Sequence, residues 1–234
     1  MGTYAAVVLA GGSARRLGGV DKPALPVGGR PMRARVLAAV SDARPRVLVG
    51  PADDVPEGVR VTREDPPGGG PVAAAAAGLA LLDPETALVA LLAADLPLLT
   101  RSAIGDLLTH LTGENPPVGQ GVAHAGQGVA LAGGGSPSVP MAGSGLVGSE
   151  RPDGACFVDG DGRRQSLCGV WRVAALRAGL DRLTVERGSL SGAPVRALLA
   201  GLVVREVPWS GDGPPPWFDC DTDEDVRRAE EWAR

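Results

Sequence analysis

Two rhythms alternate along the first hundred residues, and each change of rhythm marks an expected element. Residues 4–9 are an unbroken apolar run rich in valine, which predicts a strand buried on both faces. After the Gly11–Lys22 stretch, residues 24–27 and the turn Gly28-Gly29 lead into helical spacing over 32–40. Residues 46–49 and 59–62 read as short strands. Residues 71–82 read as an alanine-rich helix with Pro71 at a natural helix start. Residues 86–93 are apolar throughout, as a covered central strand requires, and 102–111 return to helical spacing. The order β-α-β-α-β predicts an α/β fold of three layers, a mostly parallel sheet with helices on both faces. Ligands of such sheets bind at the carboxyl ends of the strands. Whatever follows residues 9 and 93 is therefore expected on one rim.

The pattern dissolves over 113–154. Gly, Ala, Ser and Pro dominate there, and Gly119-Gln120-Gly121-Val122-Ala123 recurs as Gly126-Gln127-Gly128-Val129-Ala130. This reads as a low-complexity surface excursion, with room for a strand at 128–131, from a single domain spanning 1–234. Beyond it, strands are expected at 156–158, 165–171 and 202–207, with a turn at Asp159-Gly160-Asp161-Gly162 and helices at 173–180 and 194–199. The chain closes on Asp219-Cys220-Asp221-Thr222-Asp223-Glu224-Asp225 and a charged helix. Thr222, with Asp225 three residues on, gives that helix a capping-box-like start.

Composition narrows the picture. With 234 residues, 44% of them hydrophobic and 21% charged, the chain suits one α/β domain. Only 3% are aromatic, so the core must be built mostly of Ala, Val and Leu. A net charge of −4 argues against a protein that coats nucleic acid, and any phosphate affinity must be local. Cys156, Cys168 and Cys220 form no C-x-x-C pair and no zinc spacing, and read as buried thiols. His110 and His124 lack ligand-type neighbours. No basic segment precedes the first apolar run, and residues 87–99 are interrupted by Asp95 and Pro97 and too short to span a bilayer. The expected setting is the cytoplasm, with neither membrane nor nucleic acid as partner.

The chemistry concentrates in Leu9-Ala10-Gly11-Gly12-Ser13-Ala14-Arg15-Arg16-Leu17-Gly18-Gly19-Val20-Asp21-Lys22. Glycines let backbone N–H groups approach a ligand closely, and the cations neutralise charge along a phosphate chain. The segment is not a P-loop, because no Gly-Lys pair precedes Ser or Thr at the required spacing. It does not fit G-x-G-x-x-G either.

In Leu9, Ala10, Gly11, Gly12, Arg16, Leu17, Gly18 and Lys22 the segment resembles the N-terminal signature of the molybdenum cofactor guanylyltransferases, members of the larger nucleotidyltransferase group. Three further stretches fit the same family. Ala93-Ala94-Asp95-Leu96-Pro97 resembles its strand-end aspartate, Asp65 through Pro71 its aspartate ahead of a Gly-Pro helix start, and Phe218-Asp219-Cys220-Asp221-Thr222 its C-terminal segment. Two positions depart from it. Asp223 stands where proline is usual, and Gly50-Pro51-Ala52 replaces an asparagine-containing segment that helps hold the guanosine.

The resemblance implies a Rossmann-like nucleotidyltransferase fold. Leu9, Ala10, Gly11, Gly12, Lys22, Asp65 and Asp95 would lie at the nucleotide, with Arg16, Lys22 and Asp95 as the catalytic set. It also implies Mg²⁺ on Asp95, completed by Asp221 or Asp219, although ordinary helix capping competes for those two residues. The implied reaction moves GMP from GTP to the phosphate of molybdopterin and releases pyrophosphate. Alternatives are a molybdopterin cytidylyltransferase, a 2-phospholactate guanylyltransferase, and a catalytically silent nucleotide-binding regulator. Arg163-Arg164-Gln165-Ser166-Leu167 stand as candidate acceptor contacts, with an exposed turn as the competing reading.

Overall fold

The computed structural model describes residues 4–11, 21–51, 55–113 and 151–233. Gly12, Arg16, His124, the repeat at 119–130 and the strand expected at 128–131 lie outside the described residues.

Strand β1 (Ala5–Leu9) comes first, and a small ribbon of β2 (Pro26–Val27) and β3 (Arg30–Pro31) precedes helix α1 (Met32–Ala39). Strands β4 (Arg46–Val49) and β5 (Val59–Thr62) follow, then α2 (Pro71–Leu79), β6 (Leu88–Ala93) and α3 (Arg101–Thr112). The second half holds β7 (Gly154–Val158), β8 (Arg164–Arg172), α4 (Val173–Arg187), α5 (Val195–Leu198), β9 (Val204–Pro208) and α6 (Asp223–Trp232). Seven strands form one sheet in the order β5-β4-β1-β6-β8-β7-β9. It is mostly parallel, and β8 alone runs antiparallel to its neighbours β6 and β7. This is the α/β architecture expected.

The register explains why the site lies where it does. Leu9 is opposite Val49 on one side and Ala93 on the other, so β1, β4 and β6 end level at a single rim. Successive side chains of a strand point to opposite faces. Ala6, Val8, Leu48, Ala90 and Leu92 accordingly pack with α1 and α3, whereas Val7, Val47, Val49, Val89 and Leu91 pack with α2 and α4. Both faces are covered, so these strands read as unbroken apolar runs rather than alternating ones.

Some boundaries differ from the sequence reading for identifiable reasons. Helix α2 ends at Leu79, because Leu81 and Leu82 donate to Gly78 and Leu79 in tighter i→i+3 bonds, although Leu82 stays buried. Helix α4 runs seven residues beyond the expected 180, to Arg187. Leu183 continues its buried stripe, and Gly188 in the left-handed conformation ends it. The last strand starts at Val204 because the Leu202 N–H turns back to the Leu199 carbonyl.

Helix α2 sits hard against the sheet. A Cβ at Gly78 would stand 2.4 Å from Val7 Cγ1 and 3.0 Å from Val49 Cγ2. Gly78→Ala is expected to lower stability by about 1–3 kcal/mol, the usual cost of overpacking a filled core, read as a lower urea midpoint with unchanged slope.

Candidate active site

Backbone bonds knit the strand ends together. Ala94 N–H donates to the Leu9 carbonyl (3.0 Å), Ala10 N–H to Val49 (2.8 Å) and Gly50 N–H to Thr62 (2.9 Å). The Ala10 carbonyl and the Gly11 amide enter no backbone bond among the described residues. Gly50 has φ 137°, and a Cβ there would lie 2.8 Å from the Ala10 carbonyl carbon. A side chain at 50 is thus shut out by the backbone that the sequence assigns to the nucleotide.

Lys22 is aimed from behind. It opens a short 3₁₀ turn, Lys22–Ala24, whose N-cap Asp21 accepts the Ala24 N–H at 2.9 Å, and Pro23 fixes the turn's start. The Asp21 carboxylate also accepts from Arg33 Nη1 at 2.7 Å. Arg33 belongs to α1 and is only 5% exposed, the one buried charged residue among those described. From this mount Lys22 Nζ donates to Asp95 Oδ2 at 2.6 Å and to Asp221 Oδ1 at 2.7 Å. Asp95 follows β6, and its own carbonyl receives the Cys220 N–H at 3.4 Å, which ties the C-terminal segment to the same rim. Residues 22, 95 and 221 therefore meet at one point despite their separation along the chain.

The C-terminal segment separates capping from the contact with Lys22. Thr222 and Asp225 form the capping box of α6, and Asp225 also accepts the Asp221 N–H at 3.1 Å. Capping falls to Asp225, and the Asp221 carboxylate is left to Lys22.

The electrostatics match this geometry. Burial pulls the Lys22 pKa down, but the hydrogen bonds it donates to Asp221 and Asp95 outweigh it and hold the ammonium above its ordinary range. Burial, then the charges of Asp221 and Asp95, push the Asp219 carboxyl above its usual value. Two carboxylates share the one ammonium, and the negative charge left over favours a further cation. Mg²⁺ is held by one or two carboxylates plus substrate phosphates rather than by an all-protein cage. Asp95 and Asp221 offer such hard oxygen donors. No group of three or more His, Cys, Asp or Glu side chains among the described residues is placed to hold a metal alone.

Beside Asp95 lies a cavity of about 240 Å³, lined among others by Gln165, Ser166, Leu167, Trp217 and Asp219. Trp217 is a braced wall, 5.3 Å from the Phe157 ring and 6.5 Å from Trp209. Gln165 Nε2 donates to Asp159 Oδ2 at 3.1 Å, which fixes the amide. Of the expected acceptor contacts, residues 165–167 line this cavity, while Arg164 pairs with Glu206 on β9. The three cysteines are free and buried; burial pushes Cys156 up to about 11 and Cys220 up to about 12, so they are inert thiols. His110 Nδ1 lies 2.8 Å from the Asp106 carbonyl one turn back on α3.

Asp65 is exposed on the loop after β5. The neighbouring Glu64 carboxylate, rather than Asp65, comes up to Gly11: its oxygens lie 3.5 and 3.8 Å from where a Gly11 Cβ would stand. Arg33, Glu64 and Trp217 were not singled out from sequence. For Arg33 a signal existed, since it shares a helix face with the apolar Val36, Leu37 and Val40.

The fold and the strand-end cluster define a nucleotidyltransferase-type α/β protein, and comparison with solved structures agrees. The molybdopterin-guanine dinucleotide biosynthesis protein A of Archaeoglobus fulgidus superposes with a TM-score of 0.62 at 18% identity, covering 97% of each chain. The 2-C-methyl-D-erythritol 4-phosphate cytidylyltransferase of Thermus thermophilus gives 0.59 at 17% identity, covering 99% of each. Among curated proteins, a probable molybdenum cofactor guanylyltransferase of Haloferax mediterranei is 32% identical over 118 residues, 47% of this chain and 55% of the relative. The chain thus spans about half the length of that curated relative. The chain belongs to the family of the MobA-like NTP transferase domain, whose model matches residues 6–202. The resemblance drawn from Leu9 to Lys22 is therefore correct at the level of family and fold. No helix among the described residues is long and apolar enough to cross a membrane.

Proposed function

We propose that this MobA-like nucleotidyltransferase moves GMP from GTP to the terminal phosphate of molybdopterin, with Mg²⁺ as cofactor. The observation that carries the reading is the Lys22 ammonium held between Asp95 and Asp221 at the strand-end rim. A phosphate oxygen of the acceptor attacks the α-phosphorus of the triphosphate. The bond from that phosphorus to the α,β-bridging oxygen breaks, and pyrophosphate leaves with the electron pair. Such transfer needs positioning and charge neutralisation rather than a protein nucleophile. Leu9 and Ala10 set the floor of the nucleotide site, and the amides of Gly11 and Gly12 hold phosphate oxygens. Lys22 and Arg16 oppose the charge that builds toward pyrophosphate. Asp65 lies beside the nucleotide from the loop after β5. Asp95 and Asp221 would hold Mg²⁺, which when bound would supply Lewis-acid neutralisation of phosphate charge. The cavity beside Asp95 takes the acceptor, where the flat Trp217 face suits a fused heterocycle and Gln165 and Ser166 meet its polar edge.

A second reading rests on the cytidylyltransferase among the structural neighbours, whose TM-score nearly equals that of the guanine dinucleotide biosynthesis protein. Pyrophosphate release with purified molybdopterin and each of the four triphosphates separates the two. GTP is expected to support turnover, and CTP is not. Turnover with CTP alone would replace the donor, and turnover on 2-phospholactate but not molybdopterin would replace the acceptor. Bound nucleotide without any pyrophosphate release would leave a silent binding protein.

A further inference from the structure

We infer that Glu64 reads the base of the bound nucleotide and makes the site selective for guanine; this rests on the nucleotidyl-transfer reading above. The departure at 50–52 removes a side-chain amide from the place where the guanosine is expected. Gly50 is pressed so closely on Ala10 and Gly11 that no side chain of its own could serve there. From the loop after β5, Glu64 brings its carboxylate to Gly11, with Oε1 3.5 Å and Oε2 3.8 Å from the vacant Cβ position. Gly68 N–H donates to Oε1 at 3.1 Å and sets the carboxylate's orientation. An ionised carboxylate has about four acceptor sites, so that one bond leaves most of its capacity open. Oε2 has no hydrogen-bond partner among the described residues.

The donor and acceptor pattern at this rim selects the base. Guanine presents two adjacent donors on its pairing edge, the N1–H and the 2-amino group, with one carbonyl acceptor beside them. A carboxylate complements two adjacent donors. Cytosine presents acceptors at N3 and O2, which would face the carboxylate oxygens with no proton between them. The side chain that completes base recognition thus comes from the loop after β5 rather than from the loop after β4.

Binding of GTP, ITP, XTP and CTP to the full chain and to Glu64→Gln, measured by calorimetry with Mg²⁺, tests this. ITP lacks the 2-amino group and XTP carries a carbonyl in its place. The native protein should bind GTP about tenfold more tightly than ITP, as loss of one hydrogen bond to a charged group implies. The Gln variant keeps an oxygen for the Gly68 N–H and turns one acceptor into a donor. It should lose about tenfold or more for GTP and gain for XTP, which a merely structural role of Glu64 would not produce. Equal affinity of the native protein for GTP and ITP, or an unchanged GTP-to-XTP ratio in the variant, would overturn the inference. Either result would leave nucleotidyl transfer standing. If the native protein binds CTP in preference to GTP, base reading by Glu64 is wrong while the reaction class survives. If it binds no triphosphate, both fall.

Discussion

Lys22→Ala is expected to lower kcat by about 10²–10³-fold, the usual loss when one preorganised donor is removed from developing charge. The folded state should survive the change. Lys22 sits on a short turn at the rim, and the side chains of its partners Asp95 and Asp221 are 23% and 53% exposed. Water can therefore take over their solvation when the ammonium is removed. The measurement is single-turnover pyrophosphate release alongside a thermal melt. A native rate, or a collapsed melting transition, would refute the assignment of Lys22 as a functional rather than structural cation. Lys22→Arg is a useful companion. The guanidinium keeps the charge but not the compact shape that fits between two carboxylates, so it should restore only part of the rate.

The second large effect is expected at Asp95. Asp95→Asn keeps the size of the side chain and removes its charge, so the amide accepts poorly as a metal ligand and no longer anchors Lys22. Turnover should fall by about 10²-fold or more, and the Mg²⁺ concentration needed for half-maximal rate should rise at least about tenfold. GTP binding without metal should change far less. Asp219→Asn provides the contrast. Asp219 lines the cavity beside Asp95, and partial desolvation, then the charges of Asp221 and Asp95, raise its carboxyl pKa. It should affect the acceptor's KM more than the Mg²⁺ requirement. If Asp219→Asn moves the Mg²⁺ dependence and Asp95→Asn does not, the metal belongs on the other carboxylate.

Arg33 illustrates how such a site is supported. A buried guanidinium is costly unless it is paired, and here it holds Asp21, whose backbone starts the turn that aims Lys22. The geometry of the Lys22 turn is thus set from within α1.

Much of this molecule was readable before any coordinates. The covered strands announce themselves as apolar runs, and the limits of β4 and β5 fall where the pattern puts them. Thr222 and Asp225 form the cap their spacing implies. These features are local, because periodicity, propensity and capping depend on residues a few positions apart. The strand-end aspartate and the glycine-rich loop were legible for the same reason, since each motif is continuous in the chain.

Tertiary structure decided what depends on contacts between distant segments. Sequence left Asp219 and Asp221 equivalent, whereas the fold hands Asp221 to Lys22 and turns Asp219 toward the cavity. It also brought Glu64 rather than Asp65 to Gly11, and buried Arg33 behind the turn. Which of two neighbouring carboxylates faces a site follows from sheet register and from bonds such as Gly68 N–H to Glu64, and no local pattern encodes these. The chain alone specified the parts and their family; the packed sheet, whose strands β1, β4 and β6 end level, determined which of those parts could touch.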